Sequence, residues 1–365
     1  MVIFNALQTS LNGGIGRYSY ELAKELYKNN SDIKIVIRNQ DLKLFDFVGK
    51  QDLIIANNIN NSKDRNIYEQ FKLPNIIYKK YPEAIIHYPD TMAPLFSKNK
   101  VVITVHDLAF KSLKKIFTWK TTVWKNIITN LSIKKADKII AITNFTKDEI
   151  LKHYPNIDKN KISVVHNGFN DFSKDEIKKE NISDKIRNIN KKYILIVSTI
   201  SPRKNIDGLI KAFNKIKDDI DENLIIAGNK GWMCEAIYKL VDDIKLNDRV
   251  VFTGKINDDE LKYLYKNASV FTYVSFYEGF GLPPLEAMSY GIPCIVSNTS
   301  SIPEVVGDAA IKVDPKNVGE ISKYIKNLIL DKDKNLIEKG KERIKKFSWQ
   351  KCAKETFDSY WKILK

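Results

Sequence analysis

The chain has 365 residues, 43% of them hydrophobic, and a formal net charge of +16. This length predicts two domains with sizeable cores, and the composition excludes a wholly disordered chain. The charge is uneven, because residues 1–200 hold 33 basic and 20 acidic side chains. A basic first half suits an anionic partner such as nucleic acid, an acidic membrane surface or a phosphorylated substrate, and equally a lysine-rich solvated surface.

The cysteines are three in number and far apart, with no CxxC pair: Cys234, Cys294 and Cys352. Neither a disulfide framework nor a zinc site is therefore expected. The first residues lack the basic region of a signal peptide, and no stretch approaches 18 apolar residues free of charge. We expect a cytoplasmic protein without a spanning helix.

Short β-rich runs alternate with longer helical runs along the chain. The first strand is predicted over Val2–Leu7, and a glycine loop then leads into a helix over Arg17–Tyr27. Further strands of the first half are predicted at Lys34–Arg38, Leu53–Ala56, Ala84–His87, Val101–Val105, Lys138–Ile142 and Ile162–Val165. Those of the second half are predicted at Tyr193–Val197, Leu224–Ala227, Val250–Phe252, Val270–Tyr273 and Cys294–Ser297. Near-continuous apolar runs are typical of strands buried on both faces of a parallel sheet, and their alternation with helices indicates βαβ units. The pattern predicts an α/β fold with two sheets in tandem.

A polar stretch separates the two series of strands. Asn167-Gly168 is a turn signal, and the charged stretch that follows holds few apolar residues. We predict a Rossmann-like domain at residues 1–170, a linker region at 171–192 and a second Rossmann-like domain at 193–346. Ligands of open α/β sheets bind beyond the carboxyl ends of the strands, so the chemistry is expected in the strand-to-helix loops.

The most specific motif follows the predicted strand Val270–Tyr273 and reads YEGFGLPPLEAM from Tyr277 to Met288. Its glycines allow close backbone approach, its prolines suit a helix start, and a glycine loop that feeds a helix N-terminus makes an anion site. Glu278 is predicted in the loop and Glu286 inside the helix, where carboxylates can accept hydrogen bonds from sugar hydroxyls. The alternative is a capped helix with two solvent-exposed carboxylates.

A second loop follows the predicted strand Tyr193–Val197 and carries Arg203 and Lys204 side by side. Adjacent cations in such a loop suit a diphosphate, because arginine offers a planar fork and lysine a compact charge. An exposed basic turn is the alternative.

Two motifs of the first half are weaker. The run Gly13–Gly16 follows the first strand, but it lacks the GxGxxG spacing of a dinucleotide fingerprint. His106 lies at the end of Val101–Val105, where a histidine can donate a hydrogen bond to a sugar hydroxyl or a phosphate, although a lone histidine is more often structural. Asp107 is a candidate to orient it or to bind the acceptor.

Together these motifs resemble the retaining GT-B glycosyltransferases, in particular family 4. The paired-glutamate stretch from Glu278 to Glu286 carries the resemblance, which continues through Ser300–Val305 and is most secure over 193–315. It implies two Rossmann-like domains that face each other across a cleft. It also implies that residues 347–365 form a helix that crosses back onto the N-terminal, acceptor-side domain. Apolar contacts of that helix are expected from Trp349, Phe357, Tyr360 and Trp361.

The resemblance also implies roles for particular residues. Glu278 would contact the donor sugar near its reacting face, and Glu286 would hold the nucleotide ribose. Arg203 and Lys204 would bind the diphosphate, although Ser198-Thr199 stands where many members have Gly-Arg.

Backbone groups would supply further contacts to the donor. Those to the sugar hydroxyls and the diphosphate would come from Gly279, Phe280, Gly281 and Leu282. Gly14 and Gly16 would approach the donor phosphates, His106 would lie close to the donor sugar, and Lys255 would meet the base.

The function that follows from the resemblance is retaining transfer of a hexose from a nucleotide sugar to a glycan or a lipid-linked glycan. Likeness to bacterial O-antigen mannosyltransferases favours mannose from GDP-mannose, with a UDP-hexose as the near alternative and GDP or UDP as the product. No cofactor and no metal are expected, and the departing phosphate would accept the acceptor's proton. A nucleotide-sugar isomerase or hydrolase is a third possibility. A nucleic-acid-binding protein is a fourth, but no nucleic-acid module is recognisable, so no nucleic-acid partner is expected.

The segment 110–138 carries eight lysines with Phe117, Trp119 and Trp124 among them. Aromatics beside lysines suit an anionic membrane interface, and equally nucleic acid or an ordinary packed helix. Because family acceptors are often lipid-linked, a peripheral location on the inner face of the cell membrane is the expectation.

Overall fold

The computed structural model describes the chain except residues 12–13, 31, 114–118, 332 and 365, and the side chains at 119–121, 362 and 364. Two compact units are present. The first domain comprises Met1–Gly168 together with Phe347–Lys365, and the second domain comprises Phe169–Lys346.

The described part of the first domain holds a seven-stranded, fully parallel sheet with the strand order β3-β2-β1-β4-β5-β6-β7. Its strands are β1 Val2–Asn5, β2 Ile33–Arg38, β3 Leu53–Ala56, β4 Ile85–Tyr88, β5 Lys100–Val105, β6 Lys138–Ala141 and β7 Ile162–Val164. Its helices before residue 168 are α1 Gly14–Asn29, α2 Ser62–Ile67, α3 Leu73–Lys80, α4 Ala109–Ser112, α5 Trp119–Lys135 and α6 Asn144–His153, with a π-helical turn at Tyr68–Lys72. Ile3 and Phe4 are consecutive on β1 and both fully buried, in separate cores on the two faces of the sheet. Helices therefore cover both faces, as the continuous apolar strands predict.

The second domain repeats this plan with six parallel strands in the order β10-β9-β8-β11-β12-β13 among the described residues. The strands are β8 Tyr193–Val197, β9 Asn223–Ala227, β10 Val250–Gly254, β11 Ala268–Tyr273, β12 Cys294–Ser297 and β13 Ile311–Val313. The helices are α7 Asp184–Arg187, α8 Ile206–Ile216, α9 Glu235–Asp243, α10 Asp258–Asn267, α11 Leu282–Ser289, α12 Ile302–Val306, α13 Val318–Leu330 and α14 Lys334–Ile344. In both sheets the order reverses beside the first strand, between β1 and β4 and between β8 and β11. Such switch points are where ligands bind in open α/β sheets.

The twelve predicted strands all form, with ends that agree with the prediction or differ from it by one or two residues. The thirteenth, β13, was not predicted because it is only three residues long and Lys312 interrupts its apolar pattern. The predicted start of the first helix was wrong, since α1 begins at Gly14 rather than at Arg17. A Cβ at Gly16 would come 2.5 Å from the carbonyl oxygen of Ser10, so close packing of the helix on the preceding chain explains this glycine.

The last helix, α15 (Trp349–Leu364), packs in the first domain against α1. Trp349 and Tyr360 are buried there in the core that holds β1 and β2. The Tyr360 hydroxyl hydrogen-bonds to Nδ1 of His87 at 2.7 Å, and Nε2 of that ring lies 2.8 Å from the hydroxyl of Thr104 on β5. Trp361 was predicted wrongly as a packing residue, because 54% of it is exposed and its ring meets only Phe357 of its own helix among the described ring contacts.

The segment 171–192 belongs to the second domain and packs on β10 and α10. The amide of Asn181 donates to Asp259 at 2.6 Å, and the hydroxyl of Ser183 donates to Glu260 at 2.5 Å. The ammonium of Lys185 donates to the carbonyl of Phe252 at 2.7 Å. These contacts satisfy polar groups that a short irregular segment cannot pair within itself.

Candidate functional site

The loops after β8 and β11 meet at the switch point of the second sheet. The backbone N–H of Phe276 donates to the carbonyl of Arg203 at 2.9 Å, which joins the two loops directly. Asn205 adopts a left-handed conformation with φ of 55° and donates its side-chain amide to the carbonyls of Val274 and Pro315 at 3.0 and 2.6 Å. Asparagine tolerates this conformation better than most residues, and here it ends the turn Pro202–Lys204 and begins α8.

A buried ion-pair cluster lies in these loops. Nζ of Lys204 is 2.6 Å from Oε1 of Glu278 and 2.9 Å from the hydroxyl of Tyr273, at the end of β11. Nη1 of Arg203 is 3.4 Å from Oε2 of the same carboxylate and donates to the carbonyl of Tyr277 at 3.3 Å. The side chains of Lys204 and Glu278 are 9% and 7% exposed, so solvent screens their interaction little. The structure thus brings together three of the residues that the sequence analysis selected.

Electrostatics keep the Glu278 carboxylate charged in this buried place. Burial by itself would raise its pKa, but the charges of Lys204 and Arg203 and the hydrogen bond from Lys204 lower the pKa of Glu278 below its ordinary value. Burial and the negative charge of Glu278 raise the pKa of Tyr273 well above its ordinary value, so its hydroxyl stays protonated. The cluster therefore presents two cations and one anion at neutral pH.

The paired-glutamate motif takes the predicted loop-to-helix form. The N–H of Glu278 donates to the hydroxyl of Ser300 at 3.0 Å, and the hydroxyl of Ser301 donates to the Glu278 carbonyl at 2.8 Å. Gly281 caps α11 with a φ of 97°, a conformation that glycine adopts without strain, and a Cβ there would come 2.5 Å from Ile302. The intervening Gly279 and Phe280 are buried, and Leu282 begins the helix half-buried.

Glu286 lies inside α11, as predicted, and is 7% exposed. The hydroxyl of Tyr265 on α10 donates to its Oε2 at 2.9 Å. The alternative of two solvent-exposed carboxylates is wrong, because both glutamates of the motif are buried and hydrogen-bonded.

The remaining predicted donor residues are spread more widely. Lys255 follows β10 and is exposed. Gly14 and Gly16 lie in the first turn of α1 in the first domain, where a Cβ at Gly14 would meet open space. Gly13 lies outside the described residues.

His106 follows β5 in the first domain and is 9% exposed. Its Nε2 lies 2.9 Å from the carbonyl of Pro89, and because a carbonyl only accepts, Nε2 carries the proton. Burial lowers the pKa of His106, against the opposing effects of that bond and of Asp90 and Asp107, so the ring is neutral at pH 7. Nδ1 is then unprotonated. In this arrangement the ring nitrogen not bonded to Pro89 is Nδ1, an acceptor, and a role of His106 beside the donor sugar stays a prediction. Asp107 accepts the N–H of Ala109 at 3.0 Å.

Four residues that form hydrogen bonds in the site were not predicted from the sequence as site residues: Tyr265, Tyr273, Ser300 and Ser301. Tyr273 had a usable signal, since it is a polar aromatic at the carboxyl end of the strand beside the switch point. Ser300 and Ser301 were noted only as part of the family resemblance. Tyr265 had no local signal, because its partner Glu286 is 21 residues away in the chain.

The basic segment 110–138 is described only in part. Lys114, Lys115 and Phe117 lie outside the described residues, as do the side chains of Trp119 and Lys120. On the described part of α5, an exposed apolar stripe is formed by Val123, Trp124, Ile127 and Leu131. Elsewhere on the helix, Ile128 and Ile133 are buried in the domain. In the described parts of the chain, no helix combines the length and apolar character that crossing a bilayer requires.

Comparison with known proteins relates this architecture to a defined class. Two family models match, Glycosyltransferase Family 4 over residues 12–171 and Glycosyl transferases group 1 over residues 177–343. The O-antigen chain mannosyltransferase B of Escherichia coli is 30% identical over 372 residues, covering 95% of each chain. The O-antigen chain mannosyltransferase RfbU of Salmonella typhimurium is 34% identical over 228 residues, covering 62% of this chain and 60% of that protein.

Among solved structures, Anabaena Alr3699/HepE in complex with UDP is similar in fold, with a TM-score of 0.75, 17% identity and 99% of each chain covered. Two parallel α/β domains of this kind have the GT-B fold, and the two family models and the relatives show that the chain is a glycosyltransferase. The chain belongs to glycosyltransferase family 4.

Proposed function

We propose that this protein transfers a mannosyl residue from GDP-mannose to a glycan or lipid-linked glycan, with retention of anomeric configuration. The observation that carries the proposal is the buried cluster of Arg203, Lys204 and Glu278 at the switch point of the second domain. It offers cations to a diphosphate and a carboxylate to sugar hydroxyls at one place. The bond that breaks in a nucleotide sugar joins the sugar to the diphosphate, so this combination suits the groups on both sides of that bond.

Donor binding exchanges partners within this cluster. The donor diphosphate takes the place of the Glu278 carboxylate as the anion beside Lys204, and Glu278 turns to the sugar hydroxyls. Arg203 neutralises further charge on the diphosphate as the bond to the sugar breaks, which stabilises the leaving group. Glu286 on α11 accepts hydrogen bonds from the ribose.

Mannose and guanine are proposed on the likeness to mannosyltransferases. The O-antigen chain mannosyltransferase B covers nearly the whole chain at 30% identity, which favours a mannosyl donor and a role in polysaccharide synthesis. A UDP-hexose remains the second candidate, since a structure of similar fold holds UDP. Lys255 meets the base in either case.

The chemical step uses no metal and no cofactor. The two cations supply the positive charge that a metal ion provides in other transferases. The departing diphosphate accepts the proton of the acceptor hydroxyl on the same face of the sugar. His106, neutral and with Nδ1 as an acceptor, orients a hydroxyl of the donor sugar.

A polar cavity of 560 Å³ in the first domain suits the acceptor. It lies beyond the carboxyl ends of β1, β2 and β3, and its lining includes Gln8, Thr9, Arg38, Asn60 and Arg65. Amide, hydroxyl and guanidinium groups together suit a hydroxyl-rich saccharide. We expect Asn60→Ala to raise the KM for acceptor and to leave that for donor unchanged.

The test of the function begins with thermal unfolding in the presence of GDP, UDP and ADP. A nucleotide at a hundredfold excess over its Kd adds about 2.7 kcal/mol of stability, so the preferred base gives the largest rise in Tm. Turnover of GDP-mannose and UDP-glucose is then followed with and without a glycan acceptor and with EDTA. Hydrolysis without transfer, inversion at the anomeric carbon or loss of activity in EDTA would each contradict the corresponding part of the proposal.

Membrane association completes the proposal. The exposed stripe of α5 carries Trp124 and Ile127, 57% and 51% exposed, and the exposed Lys125, Lys134 and Lys135 lie on the same helix. An apolar stripe with neighbouring lysines suits the surface of an anionic bilayer, which brings a lipid-linked acceptor to a protein located in the cytoplasm.

Vesicle co-sedimentation separates this from a merely soluble surface. Wild type should pellet with anionic vesicles at low salt and be released at high salt, because the lysine contribution is screened. Trp124→Ala should reduce pelleting, whereas Trp361→Ala, at a residue of similar exposure on α15, should not. Equal loss in both variants, or no pelleting of wild type, would overturn the membrane proposal.

A further inference from the structure

Glu286 does not stand alone in the second domain. The Tyr265 hydroxyl reaches it from α10 at 2.9 Å, and both residues are buried, at 1% and 7% exposure. The Tyr265 hydroxyl donates to one oxygen of the Glu286 carboxylate and so occupies one of its acceptor directions. A carboxylate has about four acceptor directions on its two oxygens, so this bond restricts the rotation of Glu286 while it uses only one of those directions.

The Tyr265 ring is itself held in place. It stacks on Tyr290 with ring centres 5.5 Å apart and planes inclined by 22°, and it packs at 5.8 Å against Phe271 on β11. The Tyr290 hydroxyl donates to the carbonyl of Phe172 at 3.0 Å, which fixes the second ring as well. Burial and the negative charge of Glu286 raise the pKa of Tyr265 well above its ordinary value, so the hydroxyl remains a donor throughout the physiological range.

We infer that Tyr265 is a positioning residue for nucleotide recognition, which orients the Glu286 carboxylate so that it accepts hydrogen bonds from the ribose hydroxyls of the donor. This inference rests on the ribose role of Glu286 in the proposed function. An unrestrained glutamate would lose side-chain entropy on binding, and the tyrosine removes that cost beforehand. The direct consequence is that ribose selectivity, rather than affinity for the phosphates, depends on the Tyr265 hydroxyl.

The experiment compares GDP and UDP with their 2′-deoxy and 3′-deoxy counterparts by calorimetric titration. Wild type is expected to prefer the ribonucleotide by about tenfold or more, the usual worth of a hydrogen bond to a charged group. Tyr265→Phe keeps the ring stack and removes only the hydroxyl, and it is expected to lower that preference to about threefold or less. Tyr193→Phe is the matched control, because its hydroxyl makes an equally buried 2.9 Å hydrogen bond to the carbonyl of Leu264. It should keep the wild-type preference.

A double-mutant cycle with Glu286→Ala gives the second measurement, because alanine removes the acceptor that both the tyrosine and the ribose would use. If Tyr265 acts through Glu286, the phenylalanine substitution changes the ribose preference in wild type and changes nothing in the Glu286→Ala background. The Tm of each variant is measured first, so a loss of stability common to the two phenylalanine variants is distinguished from a loss of selectivity confined to one.

The possible results distinguish a failure of the role inferred for Tyr265 from a failure of the proposed function on which it rests. No binding of any nucleotide would overturn the proposed function itself. Nucleotide binding without ribose preference in wild type would overturn the ribose role of Glu286, and with it the role of Tyr265. A wild-type preference that persists in folded Tyr265→Phe would overturn the role of the tyrosine alone.

Discussion

Removal of the Lys204 charge is the most direct test of how the candidate site is built. In Lys204→Met the Glu278 carboxylate keeps its burial but loses the ammonium at 2.6 Å, and Arg203 at 3.4 Å is the remaining cation of the cluster. Removing one partner of a buried ion pair costs about 3–5 kcal/mol, and the retained arginine places the expected loss near 3 kcal/mol. Nucleoside diphosphate binding should weaken by about ten- to a hundredfold, the worth of one charge-assisted hydrogen bond.

The pH dependence of this loss has a definite sign. In wild type the pKa of Glu278 is lowered, so the stability that it contributes is present at neutral pH and is lost as the pH falls through its folded-state value. In Lys204→Met the buried carboxyl loses its main charge partner, which raises its pKa, and protonation relieves the penalty as the pH falls. The difference in stability between the two proteins should therefore shrink in acid.

Urea unfolding followed by circular dichroism measures the free energy, with Lys211→Met as the control. Lys211 pairs with Asp207 on the exposed surface of α8 at 3.3 Å, and such pairs contribute about 0–1 kcal/mol. Adding Glu278→Gln to Lys204→Met removes the stranded charge and should recover stability without recovering binding. A Lys204→Met protein as stable as the control, or one whose loss is unchanged by Glu278→Gln, would refute the buried-pair reasoning.

Four further predictions concern other substitutions and the acid sensitivity of the protein. Glu286→Ala should weaken binding of the bare nucleotide, whereas Glu278→Gln should spare it and lower turnover of the sugar donor. Tyr360→Phe removes the 2.7 Å hydrogen bond to His87 and should cost about 1–2 kcal/mol in urea unfolding. Burial lowers the pKa of His87 to about 3. Between about pH 6.5 and 3 the unfolded chain therefore binds a proton at this histidine more readily than the folded chain does. The free energy of unfolding should fall with decreasing pH in this range, by up to about 1.4 kcal/mol per pH unit. Gly16→Ala overpacks the start of α1 and should lower the free energy of unfolding by about 1–3 kcal/mol.

Each of these has an outcome that contradicts it. Equal effects of the two glutamate substitutions on nucleotide affinity would remove the division of roles between them. A Tyr360→Phe protein with wild-type stability would mean that the hydroxyl does not anchor α15. If His87→Asn leaves the loss of unfolding free energy at low pH unchanged, the acid sensitivity belongs to other groups. For the glycine, a variant as stable as wild type would show that the preceding chain moves aside at little cost.

The amino-acid sequence by itself determined the two parallel sheets and the position of the donor motif. Strands such as β1 and β8 are short, nearly continuous apolar runs, which is the pattern typical of strands buried on both faces of a parallel sheet. The signal for each strand therefore lies within its own residues. The loop-to-helix form of the paired-glutamate motif was equally readable, because glycine and proline act on the backbone next to them. The start of α1 was not, since nothing in its first residues distinguishes a glycine loop from a glycine-rich first turn.

The tertiary structure alone decided which of the predicted residues act together and in what state. Lys204 and Glu278 are 74 residues apart in the chain, so neither their 2.6 Å contact nor the lowered pKa of the carboxyl follows from local pattern. The hydrogen bond between Nε2 of His106 and the carbonyl of Pro89, which fixes the tautomer of the ring, joins residues 17 positions apart in the chain. Tyr265 lies on α10, which carries none of the predicted site motifs, and it contacts the site through Glu286 of the paired-glutamate motif. Charge state and hydrogen-bond direction depend on burial and on partners brought from distant parts of the chain, and these exist only once the chain has folded.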